Sequence, residues 1–387
     1  MSLSLSRRAG AITQAEIRAM SLECERIGGV NLAQGVCDTP PPPLVVEAAA
    51  KAMRDGFNTY TRYDGRPELR EAISEKLRRD QNVVVDPQTQ ITVSAGSTGA
   101  FYCACLALLN PGDEVILFEP YYGYHLNTLL AVEAVPVVVP MSPPEWSFTR
   151  EQLERASTPR TKGIMLCSPS NPGGKVFALD ELQAVSEFAR AHDLFVFTDE
   201  IYEYFIYGEQ KHISPFTLPD MSDRTILISG YSKTFSITGW RIGYSVASER
   251  WAQMIGHVND LVYVCAPAPL QLGVAEGIRS LPKDFYRDVA LEFLHKRDLL
   301  CETLARSGLE PSIPMGAYYV LARVDRLGFE TSREASMSIL SRTGVASVPG
   351  VSFFAGPEKN RYVRFCFAKP ESDINEACRR IEKLINS

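Results

Sequence analysis

The sequence predicts an α/β protein, with a mainly parallel, doubly wound sheet in a large domain and a smaller α+β domain beside it. Three observations lead there. Short apolar runs at 114–118, 135–139, 163–167, 194–197 and 226–228 alternate with helix-like stretches. That alternation builds parallel sheets covered by helices. Loops rich in Ser, Gly, Asn and Pro follow several of these runs, where open α/β sheets bind ligands. The chain has 387 residues. One hydrophobic core stops growing at roughly 250–300 residues, so two domains are expected.

Bulk composition excludes more than it assigns. Hydrophobic content of 45% and charged content of 22% are ordinary globular values. A net charge of -6 offers no basic patch for nucleic acid and no polybasic membrane segment. The nine cysteines form no CxxC pair, and Cys103 and Cys105 read as positions on a buried helix. The histidines His125, His192, His212, His257 and His295 are far apart, so no metal site is expected. Unpaired cysteines suggest a reducing cytoplasm. No apolar run follows Arg7 and Arg8, so neither a signal peptide nor a transmembrane span is expected.

In chain order, 11–29 reads as a helix with Ile12, Ile17 and Met20 on one face. VNLAQGVCDTPPPP, 30–43, is a stiff extended segment, because four prolines forbid helix and sheet centre. A helix follows over 44–56. Gly65 and Pro67 mark a turn, with Pro67 at a favourable first helical position. Then 91–93 is a strand, SAGSTGA a small-residue loop and 101–109 a helix. That arrangement aims backbone N–H groups and a positive helix end at an anion. A plain strand–helix turn is the competing reading. EPYYGY follows the strand 114–118, and 150–156 is a short helix. SPSNPGG follows the strand 163–167. Leu182, Val185, Phe188 and Ala189 give 179–192 one apolar face. TDEIYEYF follows the strand 194–197. Its Asp199 is either a cap or a site residue, while Glu200 and Glu203 read as solvated or structural.

The stretch TILISGYSKTFSITGWRIGYSV, 225–246, holds Lys233 on a loop between two apolar runs, the second starting at Trp240. Most loop lysines are solvated. A desolvated one falls from a pKa of roughly 10.4 toward neutrality, and its free amine then attacks carbonyls, including the aldehyde of pyridoxal phosphate. Helices are predicted at 251–261, 264–278, 285–307 and 372–385, with strands at 316–324 and 361–368 and a strand and turn over 344–354. Arg364 stands inside an apolar alternation, where an unpaired charge is costly. Arg323 and Arg361 read as surface charges.

SKTFSITGWRIGY resembles the lysine motif of the class I/II aminotransferases, the pyridoxal-phosphate (PLP) fold type I, aspartate aminotransferase-like and kynurenine aminotransferase-like. The resemblance continues in order from Asn31 to Arg364. It implies that Lys233 carries the cofactor as a Schiff base and that Arg241 holds its phosphate together with Ser97, Thr98 and Ser232. It implies that Tyr122 stacks on the ring and that Asp199 faces the pyridine nitrogen. Tyr202 donates to the ring oxygen, and Asn171 touches that oxygen and the substrate carboxylate. Gly35 lies against this carboxylate, and Arg364 grips it as a bidentate fork. Tyr60 reaches across a homodimer interface to the partner's cofactor phosphate. The implied domains are 46–282, and 1–45 with 283–387.

Three stretches depart from the family pattern. Val36-Cys37-Asp38-Thr39 differs from its proline-containing segment. Gly173 replaces the usual threonine, which predicts a looser loop. Val264-Cys265 stands about where kynurenine-type enzymes have phenylalanine and histidine, which counts against a kynurenine substrate. The implied activity is ping-pong transfer of an amino group from an L-amino acid to a 2-oxo acid, with 2-oxoglutarate the expected acceptor, in amino acid metabolism. Two alternatives use the same residues: a β- or γ-lyase acting on sulfur amino acids, and a non-catalytic sensing module. No second cation dedicated to a dicarboxylic substrate is identified. Aspartate, aromatic, methionine and glutamine donors therefore stay open.

Overall fold

The computed structural model describes residues 5–12 and 16–384. Its strands are β1 Val30–Asn31, β2 Ile91–Ala95, β3 Glu114–Glu119, β4 Val135–Pro140, β5 Thr161–Cys167, β6 Phe195–Asp199 and β7 Thr225–Gly230. They continue with β8 Ile242–Val246, β9 Glu310–Ser312, β10 Tyr319–Arg323, β11 Val345–Ala346, β12 Val348–Pro349 and β13 Tyr362–Cys366.

A seven-stranded sheet has the order β2-β8-β7-β6-β5-β3-β4. The pairs β3–β4, β3–β5, β5–β6 and β6–β7 are parallel, as the alternation predicts. β8 runs antiparallel to both its neighbours. The loop 231–241 contains no crossover helix, so the chain returns from β7 as a direct neighbour. Every residue of β3, β7 and β8 is buried, as in a sheet covered on both faces. The helix Leu179–Ala191 buries the four predicted side chains, and Gly96–Leu108 buries Cys103 and Cys105.

A four-stranded antiparallel sheet, β12-β13-β10-β9, forms the smaller layer. The N-terminal segment joins it. β1 pairs in parallel with β11, and the Cys366 N–H donates to Leu32 O at 2.7 Å. The Asp38 N–H donates to Ala368 O at 3.3 Å. The proline-rich segment is therefore laid along the end of β13, which carries Arg364.

Boundaries shift where the backbone must turn. The second strand of the lysine region starts at Ile242, because Trp240 lies in a 3-10 turn and Arg241 takes a left-handed φ of 57°. SAGSTGA is not a separate loop, since its Gly96 opens the helix. The strand 316–324 starts at Tyr319, after Ala317 at φ 57°. The predicted helix 264–278 starts at Ala268, after Val264 at φ 64°. The predicted N-terminal helix resolves into Arg7–Ala11 and Glu16–Arg26, with 13–15 outside the described residues. The C-terminal helix is Glu371–Ile381 with a 3-10 turn to Leu384, and Ile385 lies outside the described residues. Among the described residues, no helix is long and apolar enough to cross a membrane.

Candidate active site

The C-terminal ends of β2, β5, β6 and β7 open on one cleft of about 360 Å³. Ser97, Thr98, Tyr122, Asn171, Asp199, Tyr202, Ser232, Lys233 and Arg241 all line it. The fold thus brings together residues spread over 145 positions of sequence, from 97 to 241 (241 − 97 + 1).

One end is built for an anion. The helix Gly96–Leu108 points its positive end into the cleft, with Ser97 and Thr98 in its first turn. Gly96 has φ 76°, and a Cβ there would lie 2.2 Å from the Arg241 guanidinium. Glycine is therefore what lets the guanidinium approach the helix start. Arg241 is braced by Thr238 O at 2.9 Å and Ala95 O at 3.4 Å, both neutral acceptors. This cradle suits a phosphate.

Lys233 faces the same cleft, its Nζ donating to Gly35 O at 3.3 Å. Burial pushes its pKa below the ordinary 10.5, and the nearby Arg241 charge adds to this. Asp199, at the end of β6, receives two bonds: His125 Nε2 lies 2.9 Å from Oδ2, and the Ile201 N–H donates to Oδ1 at 3.2 Å. His125 stands edge-on to Tyr122, with ring centroids 5.2 Å apart. Sequence reasoning missed His125. Its one local signal is its place three residues after Tyr122, one helical turn on in Gly123–Ala131.

The smaller layer supplies the opposite wall. Arg364 is 1% exposed. Its Nη1 donates to Asn171 Oδ1 and its Nη2 to Ala33 O, both at 2.8 Å, while its Nε is buried without a partner. The guanidinium lies between the rings of Tyr319 and Phe353, 4.3 and 4.7 Å from their centroids. Neutral groups satisfy much of its hydrogen bonding, yet among the described residues no carboxylate neutralises it. A buried cation in that state is a receptor for an anion. Gly35 is packed against the same wall, where a Cβ would lie 2.0 Å from the Tyr319 hydroxyl. Tyr319, also missed in the sequence, bonds the Tyr202 hydroxyl at 3.0 Å. Burial pushes the Tyr202 pKa well above its usual value.

Tyr60, expected to serve a partner's site rather than this one, is 83% exposed and does not line this chain's cleft. The loop after β5 is not loose: residues 168–177 are all buried, and a side chain at Gly173 would meet the Trp146 indole at 3.3 Å. Glu200 and Glu203 are not solvated. Glu200 accepts from Thr198, Ser214 and His212, and Glu203 from Lys76, Ser229 and Gln81. Glu200, Glu203 and His212 lie close enough together to suit a metal ion. Each carboxylate oxygen of Glu200 and Glu203 already has a protein partner, while His212 Nδ1 is buried without one. Cys37, where the family segment has proline, is buried, which pushes its thiol pKa up to about 12.

An anion cradle, a lysine of lowered pKa, a carboxylate backed by a histidine and a second buried cation together define a pyridoxal-phosphate-dependent transferase. The chain belongs to the family "Aminotransferase class I and II", whose model matches residues 27–381. It is 34% identical over 381 residues to kynurenine–oxoglutarate transaminase 3 of Rattus norvegicus, covering 90% of this chain and 83% of that one. It is 33% identical over 376 residues to a probable aspartate/prephenate aminotransferase of Aquifex aeolicus, covering 95% and 94%. The solved structure of N-succinyldiaminopimelate aminotransferase from Mycobacterium tuberculosis superposes with a TM-score of 0.95 at 32% identity, covering 99% of this chain and all of that one. The protein is a PLP-dependent transaminase acting on amino and oxo acids.

Proposed function

We propose that the protein transfers the amino group of an L-amino acid to 2-oxoglutarate in two half-reactions, with Lys233 holding the cofactor. The observation that carries this is the state of Lys233: a half-buried lysine whose amine, desolvated in the cleft, has a lowered pKa, is bonded to a backbone carbonyl and faces the Arg241 cradle. Bound pyridoxal phosphate supplies an electron sink for the negative charge that develops at the substrate Cα.

The chain's own residues do the rest. Arg241, Ser97, Thr98 and Ser232 would hold the phosphate. Tyr122 would stack on the ring, and Asp199, fixed by His125, would stand toward the pyridine nitrogen. Tyr202 and Asn171 would address the ring oxygen. Arg364, Asn171 and Gly35 seat the substrate carboxylate. Lys233, once released, moves the proton at the substrate Cα as general base and acid. The name of the rat relative supports 2-oxoglutarate as acceptor.

The same reading includes a homodimer. Tyr60, Leu261 and Val264 are 83%, 86% and 41% exposed, and Thr61 N contacts Cys265 Sγ at 3.5 Å, so the two segments share one surface. Exposed apolar groups gathered in this way suit a partner copy, whose phosphate cradle Tyr60 would complete. The seven-stranded sheet supports a large domain of 46–282, and the four-stranded and two-stranded sheets a small one of 1–45 with 283–387. Nine free cysteines support a cytoplasmic location.

A half-reaction screen tests the activity. The loaded protein is mixed with single amino acids and its visible absorbance followed. Conversion to the amine form of the cofactor by a few donors is expected, with 2-oxoglutarate restoring the spectrum. Release of ammonia or thiol without any oxo acid would replace transfer by elimination.

A further inference from the structure

Tyr319 opens β10 opposite Cys366, and Arg364 lies two residues before Cys366 on β13, on the same face of the smaller sheet. That diagonal spacing is within reach of an aromatic side chain. The Tyr319 ring uses it: its face meets the Arg364 guanidinium at 4.3 Å, while its hydroxyl bonds Tyr202 at 3.0 Å. One side chain thus touches the group proposed to seat the substrate and the group proposed to address the cofactor. It is also held in place. Tyr319 is 2% exposed, stands nearly perpendicular to the Tyr202 ring at 5.9 Å and packs on Tyr318 at 4.8 Å. The Gly35 backbone closes over its hydroxyl so tightly that a Cβ there would lie 2.0 Å from it and force it to move. Tyr318 in turn donates to Gly35 O, the acceptor of Lys233 Nζ, at 3.4 Å.

We propose that Tyr319 is a positioning residue with two separable functions: its hydroxyl orients Tyr202 toward the cofactor, and its ring holds Arg364 ready for the substrate carboxylate. The inference rests on the reading above, in which Tyr202 and Arg364 have those roles. The ring face carries the negative part of the aromatic quadrupole and so favours a guanidinium that no acid neutralises. The hydroxyl leaves Tyr202 a fixed lone-pair and proton direction, which a buried phenol needs if it is to act on a single oxygen. Each function predicts a different defect.

The test is a set of three variants of the PLP-loaded protein, read by an absorbance titration without substrate and by steady-state kinetics with the best donor from the half-reaction screen. Tyr319→Phe keeps the ring and removes the hydroxyl. It is expected to shift the visible-absorbance pKa by about 0.5–1 unit and to lower kcat about five- to ten-fold, the worth of one neutral hydrogen bond. KM is expected to stay within about two-fold. Tyr319→Leu loses the ring as well and is expected to add a rise in KM of about five-fold or more. Gly35→Ala pushes the hydroxyl off Tyr202 by its Cβ and should reproduce the absorbance shift of Tyr319→Phe. An unchanged pKa and kcat in Tyr319→Phe would overturn the proposal even if Tyr319→Leu failed to fold. If the unmodified protein gave no pH-dependent visible band, the failure would belong to the functional reading.

Discussion

Lys233 and Lys76 both lose hydration in this protein, and their surroundings shift their pKa values in opposite directions. Lys233 has a backbone carbonyl for a partner, and burial lowers its pKa. Lys76 is 1% exposed and pairs with Glu203, beside the Tyr204 ring. Burial, the largest single influence, would lower Lys76 too, but the charge and hydrogen bond of Glu203, with Tyr231 and Glu200, together outweigh it and the pKa is raised. The comparison teaches that a desolvated amine keeps a lowered pKa where no carboxylate pairs with it: Asp199 lines the same cleft and pulls the other way, yet burial outweighs it. Around Lys76 the fold keeps a charge as structure. Around Lys233 it leaves an amine free for chemistry.

The largest effect that would break the comparison is at Lys233. Lys233→Ala is expected to lower transamination on the order of 10⁴-fold while leaving the melting temperature of the apoprotein unchanged or raised. Lys76→Met should do the reverse. It strands Glu203 as a buried charge, so a loss of about 3–5 kcal/mol in denaturant unfolding is expected, with the remaining folded protein still capturing cofactor. Arg364→Ala sharpens the contrast from the substrate side. Losing a charged hydrogen bond worth roughly 1.5–3 kcal/mol should raise KM by about ten- to a hundred-fold for the amino acid and the oxo acid alike.

The smallest effect is in the pH dependence of stability. Lys233 binds its proton less tightly folded than unfolded. Between its lowered pKa and 10.5 the unfolded state holds more protons, so apoprotein stability rises with pH there. Lys76 has the opposite sign: its contribution is full below 10.5 and is lost as pH climbs through its raised pKa. Unfolding curves of Lys233→Ala and Lys76→Met against the wild type, taken from neutral to alkaline pH, should therefore diverge in opposite directions.

The lysine proposed to carry the cofactor was legible in sequence, and the structural one was not. Lys233 sits in a local string that a single stretch of sequence displays, between two runs that become β7 and β8. Asp199 and Arg364 were visible for a similar reason, as charges placed against apolar runs. Lys76 lies on a helix, Pro67–Gln81, of mostly charged and polar composition, and its partner is 127 residues away. The bond between His125 and Asp199 spans 74 residues, and that between Tyr202 and Tyr319 spans 117. Such pairs depend on which strand ends the sheet order brings together, and spacing along the chain does not encode that. The antiparallel turn into β8 was hidden as well, because parallel and antiparallel strands buried on both faces show the same apolar run.

The most direct test of the account is to trap the cofactor on its lysine. The PLP-loaded protein is reduced with borohydride, digested, and its peptides are weighed. The cofactor mass is predicted on the peptide containing Lys233 alone, with Lys76 unmodified. Label on Lys76, on another lysine, or on none would contradict the claim that this fold sets Lys233 apart by desolvating its amine without an ion-pair partner.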